Sequence, residues 1–484
     1  MAGPNGRPLR QAEIGFYPLA DSQDAWLDLR TAADLLARRA ISAAELVDFM
    51  LARIARLNPA LNAYVTILEG PARAQAAELD SEARSGRFRG PLHGITIAVK
   101  DLIHVAGAPT TGGSRSMGRY IAAEDAACVA RLRAAGAIVL GKLHTHELAG
   151  GATSESELYG RACNPWNRDY IPGGSSGGSG VATAAEMLHA ALGTDTGGSV
   201  RMPAAFCGVV GFKGTFGRVS RRGVLSRSWT MDHVGSLARS VCDAALVYQT
   251  MVAHDPADPY SCERPAPEVL AGLGDPVRGV RVGVLTGPFF ETQLDAQIGA
   301  AFEAALGVLK SLGLAMTPVT FDLAAEAQAA GALITIAEAA AAQDEVMRSR
   351  PQELGTDIRR QLRMAEFITA RQYIRALRLR PVVQQELGEL LGRVDVLVTP
   401  TTSALPTRSD GETSAESLTL FARNTRPFSM PGLPAISVPA GFSREGLPIG
   451  LQIIGRPFDE AGVLRVAHAY EQATPWHLER PTLA

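Results

Sequence analysis

The sequence predicts an α/β layer fold around a mostly parallel or mixed sheet. Short β-branched runs bounded by Gly or Pro recur along the chain: ITIAVKD (95–101), AIVLGKL (137–143), VRVGVL (280–285), VDVLVTP (394–400) and PAISVPA (434–440). Runs of this kind read as strands. Helical segments separate most of them, namely EDAACVARLRAAG, AQIGAAFEAALGVLKSLG and the long stretch near 322–391. Strands alternating with helices argue for helices layered on a sheet. Sheet-forming runs also flank the Pro-rich HDPADPYSCERPAPE (254–268), which reads as a surface connection, so one large domain is expected.

Residues 25–85 read as helical. DLRTAADLLARRAISAAELVDFMLARIARL carries Leu, Ala and Ile at three- and four-residue spacing, with Ser42 placed as an N-cap and Glu45 three residues later. Gly136-AIVL-Gly141-Lys142 has the spacing of a phosphate loop, but its interior is apolar and no Ser or Thr follows the lysine, so it reads as a buried strand. Further on, GGSSGGSGVATAAEMLHAALGTDTGGS (173–199) sets two serine-bearing glycine loops around a small-residue helix. About ten helical residues carry the chain roughly 15 Å away. The segment LHAALG, if extended, returns it by roughly 20 Å. Ser199 can therefore stand beside Ser175 or Ser176.

Composition narrows the function classes. With 46% apolar and 20% charged residues the chain has enough material for a large core. A formal charge of −2 gives no electrostatic case for nucleic acid or an anionic membrane as the main partner. The first twenty residues lack the apolar run of a signal peptide, and AAGALITIAEAAAA contains Glu338 and is too short to span a bilayer. Five scattered cysteines form no CxxC pair, which suggests buried free thiols in a reducing cytoplasm. Lysine occurs only at 100, 142, 213 and 310, so 43 of the 47 basic residues are arginine. A lysine kept in such a chain hints that its titratable amine matters, since Arg does not deprotonate.

Several motifs fall short. Gly173-Gly174-Ser175-Ser176-Gly177 matches G-x-S-x-G, yet the lead-in RDYIPGG refuses the strand that a nucleophile elbow needs. Downstream Asp and His residues leave a Ser-His-Asp triad open on counting alone. His144 and His146 share a strand face without a third ligand nearby, so no metal is expected. No lysine has a serine three residues before it, which removes the S-x-x-K arrangement.

The serine loops suit acyl transfer better. The first opens a helix, whose free N–H groups face the same spot, and Thr196-Gly197-Gly198-Ser199 is a run of amides suited to cradle an oxyanion. Lys100 ends the apolar strand ITIAVK, where burial and a neighbouring helix N-terminus disfavour its charge and make it a base. Asp101 reads as a structural hydrogen-bond partner and Cys207 as packing. His233 could line the pocket, but a structural role is the stronger expectation.

At these residues the chain resembles the amidase signature enzymes. The likeness rests on GGSSGGSG, GTDTGGSVRMPAAFCGVVGFKGT and AVKD, and extends through PLHGITIAVKDLI, GKLHTHELAGGATSESELYG, NPWNRDYIPGGSSGG, MDHVGSLARSVCDAA and GLPAISVPAGF, over about residues 25–475. The resemblance implies a single domain with a large twisted mixed sheet covered by helices on both faces, preceded by an extension over 1–24. Within 25–484 it places a helical start at 25–90, the core motifs at 91–245 and a substrate-lining region at about 320–430. It implies a Ser-cisSer-Lys triad, with Ser199 as nucleophile, Ser175 bridging and Lys100 as base. It also implies an oxyanion hole from the N–H groups of Thr196, Gly197, Gly198 and Ser199, supported by Ser176, Asp195 and Arg201. No cofactor enters. The expected activity is hydrolysis of a small amide, aryl amide or carbamate through an acyl-enzyme, in the cytoplasm. The alternative is the glutaminase subunit of a tRNA-dependent amidotransferase. Expected partners are the small-molecule substrate, no nucleic acid and no membrane, with a homodimer allowed.

Overall fold

The computed structural model describes residues 27–411 and 413–483. The extension expected over 1–24 lies outside the described residues. Helix α1 (Leu29–Ala37) starts where Asp28 accepts the Thr31 N–H at 2.6 Å. Helix α2 (Ala43–Leu61) starts on a complete capping box, with Ser42 Oγ accepting the Glu45 N–H at 3.1 Å and the Glu45 carboxylate accepting the Ser42 N–H at 2.8 Å. Its buried face carries Leu46, Val47, Met50, Ile54, Leu57 and Leu61, the spacing visible in the sequence.

The helical reading of 25–85 needs one correction. Strand β1 (Tyr64–Ile67) interrupts it before helix α3 (Glu69–Arg84). Four residues are too few to show a period, and β1 forms only by pairing antiparallel with β3 (Ile138–Leu143), which follows helix α4 (Ala127–Ala134). The remaining strands are β2 (Thr96–Lys100), the two-residue hairpin strands β4 (Glu155–Ser156) and β5 (Gly160–Arg161), β6 (Ala190–Asp195), β7 (Val210–Lys213), β8 (His233–Ala238), β9 (Arg281–Thr286), β10 (Ala315–Thr320), β11 (Val396–Pro400), β12 (Ala435–Phe442) and β13 (Pro448–Gly455).

Eleven of them build one sheet in the order β1-β3-β2-β6-β8-β7-β12-β13-β11-β9-β10. β3, β2 and β6 run parallel to one another, as do β11, β9 and β10, while the block between them is antiparallel. The sheet is mixed and flanked by helices, as the sequence predicts. The five runs read as strands are β2, β3, β9, β11 and β12, and LHAALG leads into β6. Residues 254–268 carry neither helix nor strand.

The sheet draws its strands from both sides of that connection, so the chain closes as one domain. Among the described residues no helix is long and apolar enough to cross a membrane. The thiols also need a correction. Only Cys128 and Cys207 are buried, whereas Cys163, Cys242 and Cys262 are partly exposed.

Candidate active site

Lys100 is the last residue of β2 and is fully buried. Its Nζ lies 2.6 Å from Ser175 Oγ and 2.9 Å from Thr194 Oγ1. Burial pulls its pKa down to about 7, against the opposing pull of the Asp232 and Asp195 carboxylates. The amine is therefore uncharged for part of its time near neutral pH. Two of the other lysines are also fully buried and are held by acceptors. Lys142 Nζ donates to Asp101 Oδ1 at 2.9 Å and to the Pro109 carbonyl at 2.9 Å. Lys213 Nζ contacts the Leu433 carbonyl and lies 3.3 Å from His233 Nε2.

The first serine loop lies against the end of β3 and opens helix α5 (Gly177–Ala184). The Gly174–Ser175 peptide is cis. Ser154 Oγ fixes the turn by donating to the Gly173 carbonyl at 2.8 Å and accepting the Gly177 N–H at 2.9 Å. Gly178 shows why the loop is built of glycines: a Cβ there would collide with the His144 backbone N–H and the Ala63 carbonyl. Backbone passes backbone at this point, and only hydrogen fits. Ser176 Oγ ties the loop to β6, donating to the Thr194 carbonyl at 3.1 Å and accepting the Thr194 N–H at 3.2 Å.

The second loop leaves β6 and enters helix α6 (Arg201–Cys207). Asp195 holds it from beneath, its carboxylate accepting the Gly198 N–H at 2.8 Å and the Val200 N–H at 3.2 Å. Arg201 closes the arrangement with Nε and Nη2 at 3.0 and 2.9 Å from the same carboxylate. Burial alone would raise the Asp195 pKa, but the Arg201 charge and its hydrogen bonds hold it well below the usual carboxylate range. Gly198 sits at φ +128°, where a side chain would also strike Thr425. Its N–H is taken by Asp195, which leaves the Thr196, Gly197 and Ser199 amides of the expected cradle for an oxyanion.

The loops meet where the Ser176 N–H donates to the Ser199 carbonyl at 3.2 Å. Among the described residues no hydrogen bond joins the two hydroxyls, Ser175 Oγ and Ser199 Oγ. Ser199 keeps 8% of its surface exposed while Ser175 and Lys100 are fully sealed.

The other singled-out residues lie elsewhere in the network. Asp101 serves Lys142 and Thr111, whose N–H and Oγ1 reach its other oxygen. Cys207 packs in the main hydrophobic core, and burial pushes its thiol up. His233 Nδ1 lies 2.7 Å from the Met231 carbonyl and 3.1 Å from that of Asp195, and burial holds the ring neutral.

Three supporting residues escaped the sequence. Thr194 shares the Lys100 amine. Asp232 accepts Thr196 Oγ1 at 2.6 Å and the N–H groups of Arg227 and Ser228 at 2.8 and 2.9 Å. Thr425 Oγ1 donates to the Gly197 carbonyl at 2.7 Å from 228 residues away. The MDH triplet offered a signal for Asp232, because a carboxyl beside a strand start usually has a partner. Nothing local marks Thr425.

The family model described as Amidase matches residues 45–464, nearly the whole described chain. This chain belongs to the amidase signature family. Its members catalyse amide C–N hydrolysis, and solved amidase signature enzymes share its sheet. The chain is 40% identical over 473 residues to a glutamyl-tRNA(Gln) amidotransferase subunit from Anaeromyxobacter sp. (strain K), covering 92% of this chain and 96% of that protein. The crystal structure of the corresponding amidotransferase subunit from Thermotoga maritima superposes with TM-score 0.82 at 31% identity, over 96% of this chain and 99% of that one. Native peptide amidase from Stenotrophomonas maltophilia gives TM-score 0.84 at 31% identity, again over 96% and 99%.

These relatives overturn the expected partners. The expectation of a small-molecule substrate, no nucleic acid and a possible homodimer does not suit an amidase signature chain whose relatives are named as subunits of a tRNA amidotransferase. The reason for the error is physical. A net charge of −2 sums over the whole surface and says nothing of one interface, nor of contacts made through other chains of a complex.

Proposed function

We propose that this chain hydrolyses a carboxamide through an acyl-enzyme on Ser199, as the glutaminase subunit of a tRNA-dependent amidotransferase. The reaction begins with neutral Lys100 drawing the proton of Ser175, while Ser175 draws that of Ser199. The Ser199 oxygen attacks the amide carbonyl, and the oxyanion is received by the free amides of Thr196, Gly197 and Ser199. The proton returns along the same relay to the leaving nitrogen, which departs as ammonia. Water then attacks the ester and frees the acid.

The observation that carries this chemistry is the 2.6 Å contact between a fully buried lysine amine and a serine hydroxyl beside the amide cradle. The gap between the two hydroxyls is the kind that closes in a substrate complex, since catalytic hydrogen bonds are often long in free enzymes. The subunit reading is supported by curated relatives that span 92–95% of this chain at 36–40% identity. It brings protein and tRNA partners and goes with a cytoplasmic setting.

A free-standing amidase is the second reading, supported by the likeness to peptide amidase. In either case the residues near 320–430 are the proposed specificity region. Among them, Glu338, Leu362 and Tyr373 line, with Trp229, a cavity of about 590 Å³ that no residue of the serine loops borders. The deciding experiment assays the chain alone and co-produced with candidate partner subunits, on glutamine and on simple amides, anilides and carbamates, with Ser199→Ala as the blank. Glutamine hydrolysis that needs the partner supports the first reading. Efficient turnover of simple amides by the chain alone, indifferent to partners, overturns it.

A further inference from the structure

Arg426 opens a short helix (Arg426–Ser429) whose neighbouring residues serve the second serine loop. Thr425 holds the Gly197 carbonyl, and Ser429 Oγ accepts from Arg201 at 2.6 Å. Arg426 itself joins neither network. Its Nε is buried without a hydrogen-bond partner, and among the described residues its guanidinium has no ion pair. Its stem packs on Gly331 of the long helix Ala324–Ala342.

The guanidinium lies against Gly197, where a Cβ would stand 2.9 Å from Nε and 3.5 Å from Nη2. Any side chain at 197 would push the cation away from the oxyanion amides. The residue as a whole keeps partial exposure.

A second guanidinium stands in the same field. Arg227 is buried, its Nη2 donates to Gln361 Oε1 at 3.0 Å and its Nε has no partner. Burial draws the Arg227 pKa down to about 10. Asp232 opposes that shift and the Arg426 charge adds to it. Burial alone draws Arg426 to about 10 as well. A partly buried, unpaired arginine costs folding free energy that a fold without use for it would relieve, by pairing or by substitution.

We propose that Arg426 binds a carboxylate of the substrate, so that the scissile amide belongs to a short molecule carrying an anionic group within a few bonds of the carbonyl. The inference rests on the hydrolase reading and deepens it. Glutamine and the monoamides of short dicarboxylic acids both meet the description, and neutral amides do not.

Two measurements on the full chain test it, with Arg426→Ala and the charge-retaining Arg426→Lys. The first compares kcat/KM for succinamate and butyramide, which differ in the carboxylate. Wild type should favour succinamate. Arg426→Ala should erase about 10- to 100-fold of that preference, the range expected for a charge-assisted contact, and Arg426→Lys should restore part of it. An equal loss on both amides means that the guanidinium serves the oxyanion or the fold, and overturns the proposal. The second follows labelling of Ser199 by a fluorophosphonate, which needs neither a known substrate nor a partner protein. Succinate should slow labelling of wild type, and at least ten times more succinate should be needed with Arg426→Ala. Labelling protected equally in both proteins overturns the carboxylate inference and leaves the hydrolase reading intact. A Ser199 that never labels sinks the hydrolase reading, and this inference falls with it.

Discussion

The proton-transfer role proposed for Lys100 requires surroundings that remove its charge. With the amine titrating at about 7 through burial, kcat/KM should rise with pH through that value and level off above it, since only the neutral amine can accept a proton. A profile flat from pH 6 to 9 would remove Lys100 as the base. Stability follows the same group. Between about pH 7 and 10.5 the unfolded chain holds a proton that the folded chain has released, so stability rises with pH across that window. Lys100→Met should therefore be inactive yet more stable than wild type, by a few kcal/mol at pH 7. That gain should shrink toward pH 10, a trend that denaturant unfolding at several pH values would show. Ser199→Ala should lower kcat by roughly 10⁴- to 10⁶-fold without loss of fold, as steady-state assays and circular dichroism would record. At this scale the sequence spoke clearly where scarcity or repetition marked a residue, as for Lys100 and the serine loops. Thr194 and Thr425 were silent because a supporting hydroxyl is ordinary until the fold brings a partner to it.

Helices and strands were legible in proportion to how far local pattern decides them. The α2 capping box is written in four residues, and Ser42→Ala should cost about 1 kcal/mol in chemical denaturation with kcat unchanged. Long apolar runs such as β3 were equally plain. Strands β7, β8 and β13 were not. Glycines at 211, 235, 450 and 455 replace the β-branched residues that mark a strand, because neighbouring side chains and backbone crowd those points. The α5 entrance shows the same crowding at the site. Gly178→Ala should displace the first serine loop, costing about 1–3 kcal/mol and most of the turnover. Thermal unfolding and fluorophosphonate labelling, measured together, would separate the two effects.

Across the molecule, one buried arginine connects regions far apart in the chain. Arg201 Nη1 reaches Gln452 Oε1 at 2.6 Å and the Thr425 carbonyl at 3.2 Å, while its other nitrogens hold Asp195. Removing it strands a buried carboxylate, so Arg201→Ala should lose about 3–5 kcal/mol and much of its soluble yield. The wild-type pair also sets an acid limit. The folded Asp195 carboxyl lies far below its unfolded value near 3.8, so its contribution is complete above about pH 4 and is lost progressively as pH falls below. Single-domain closure could be foreseen from strand runs on both sides of the Pro-rich connection. Assembly could not, because total charge carries no map of a surface.

The seclusion of the amines has a practical consequence. Lys100, Lys142 and Lys213 are sealed, and Lys310, on the helix Ala296–Ser311, is the one lysine open to solvent. Reagents that acylate amines should leave the native enzyme working. They offer a near-unique side-chain handle for tethering it to a solid support in uniform orientation.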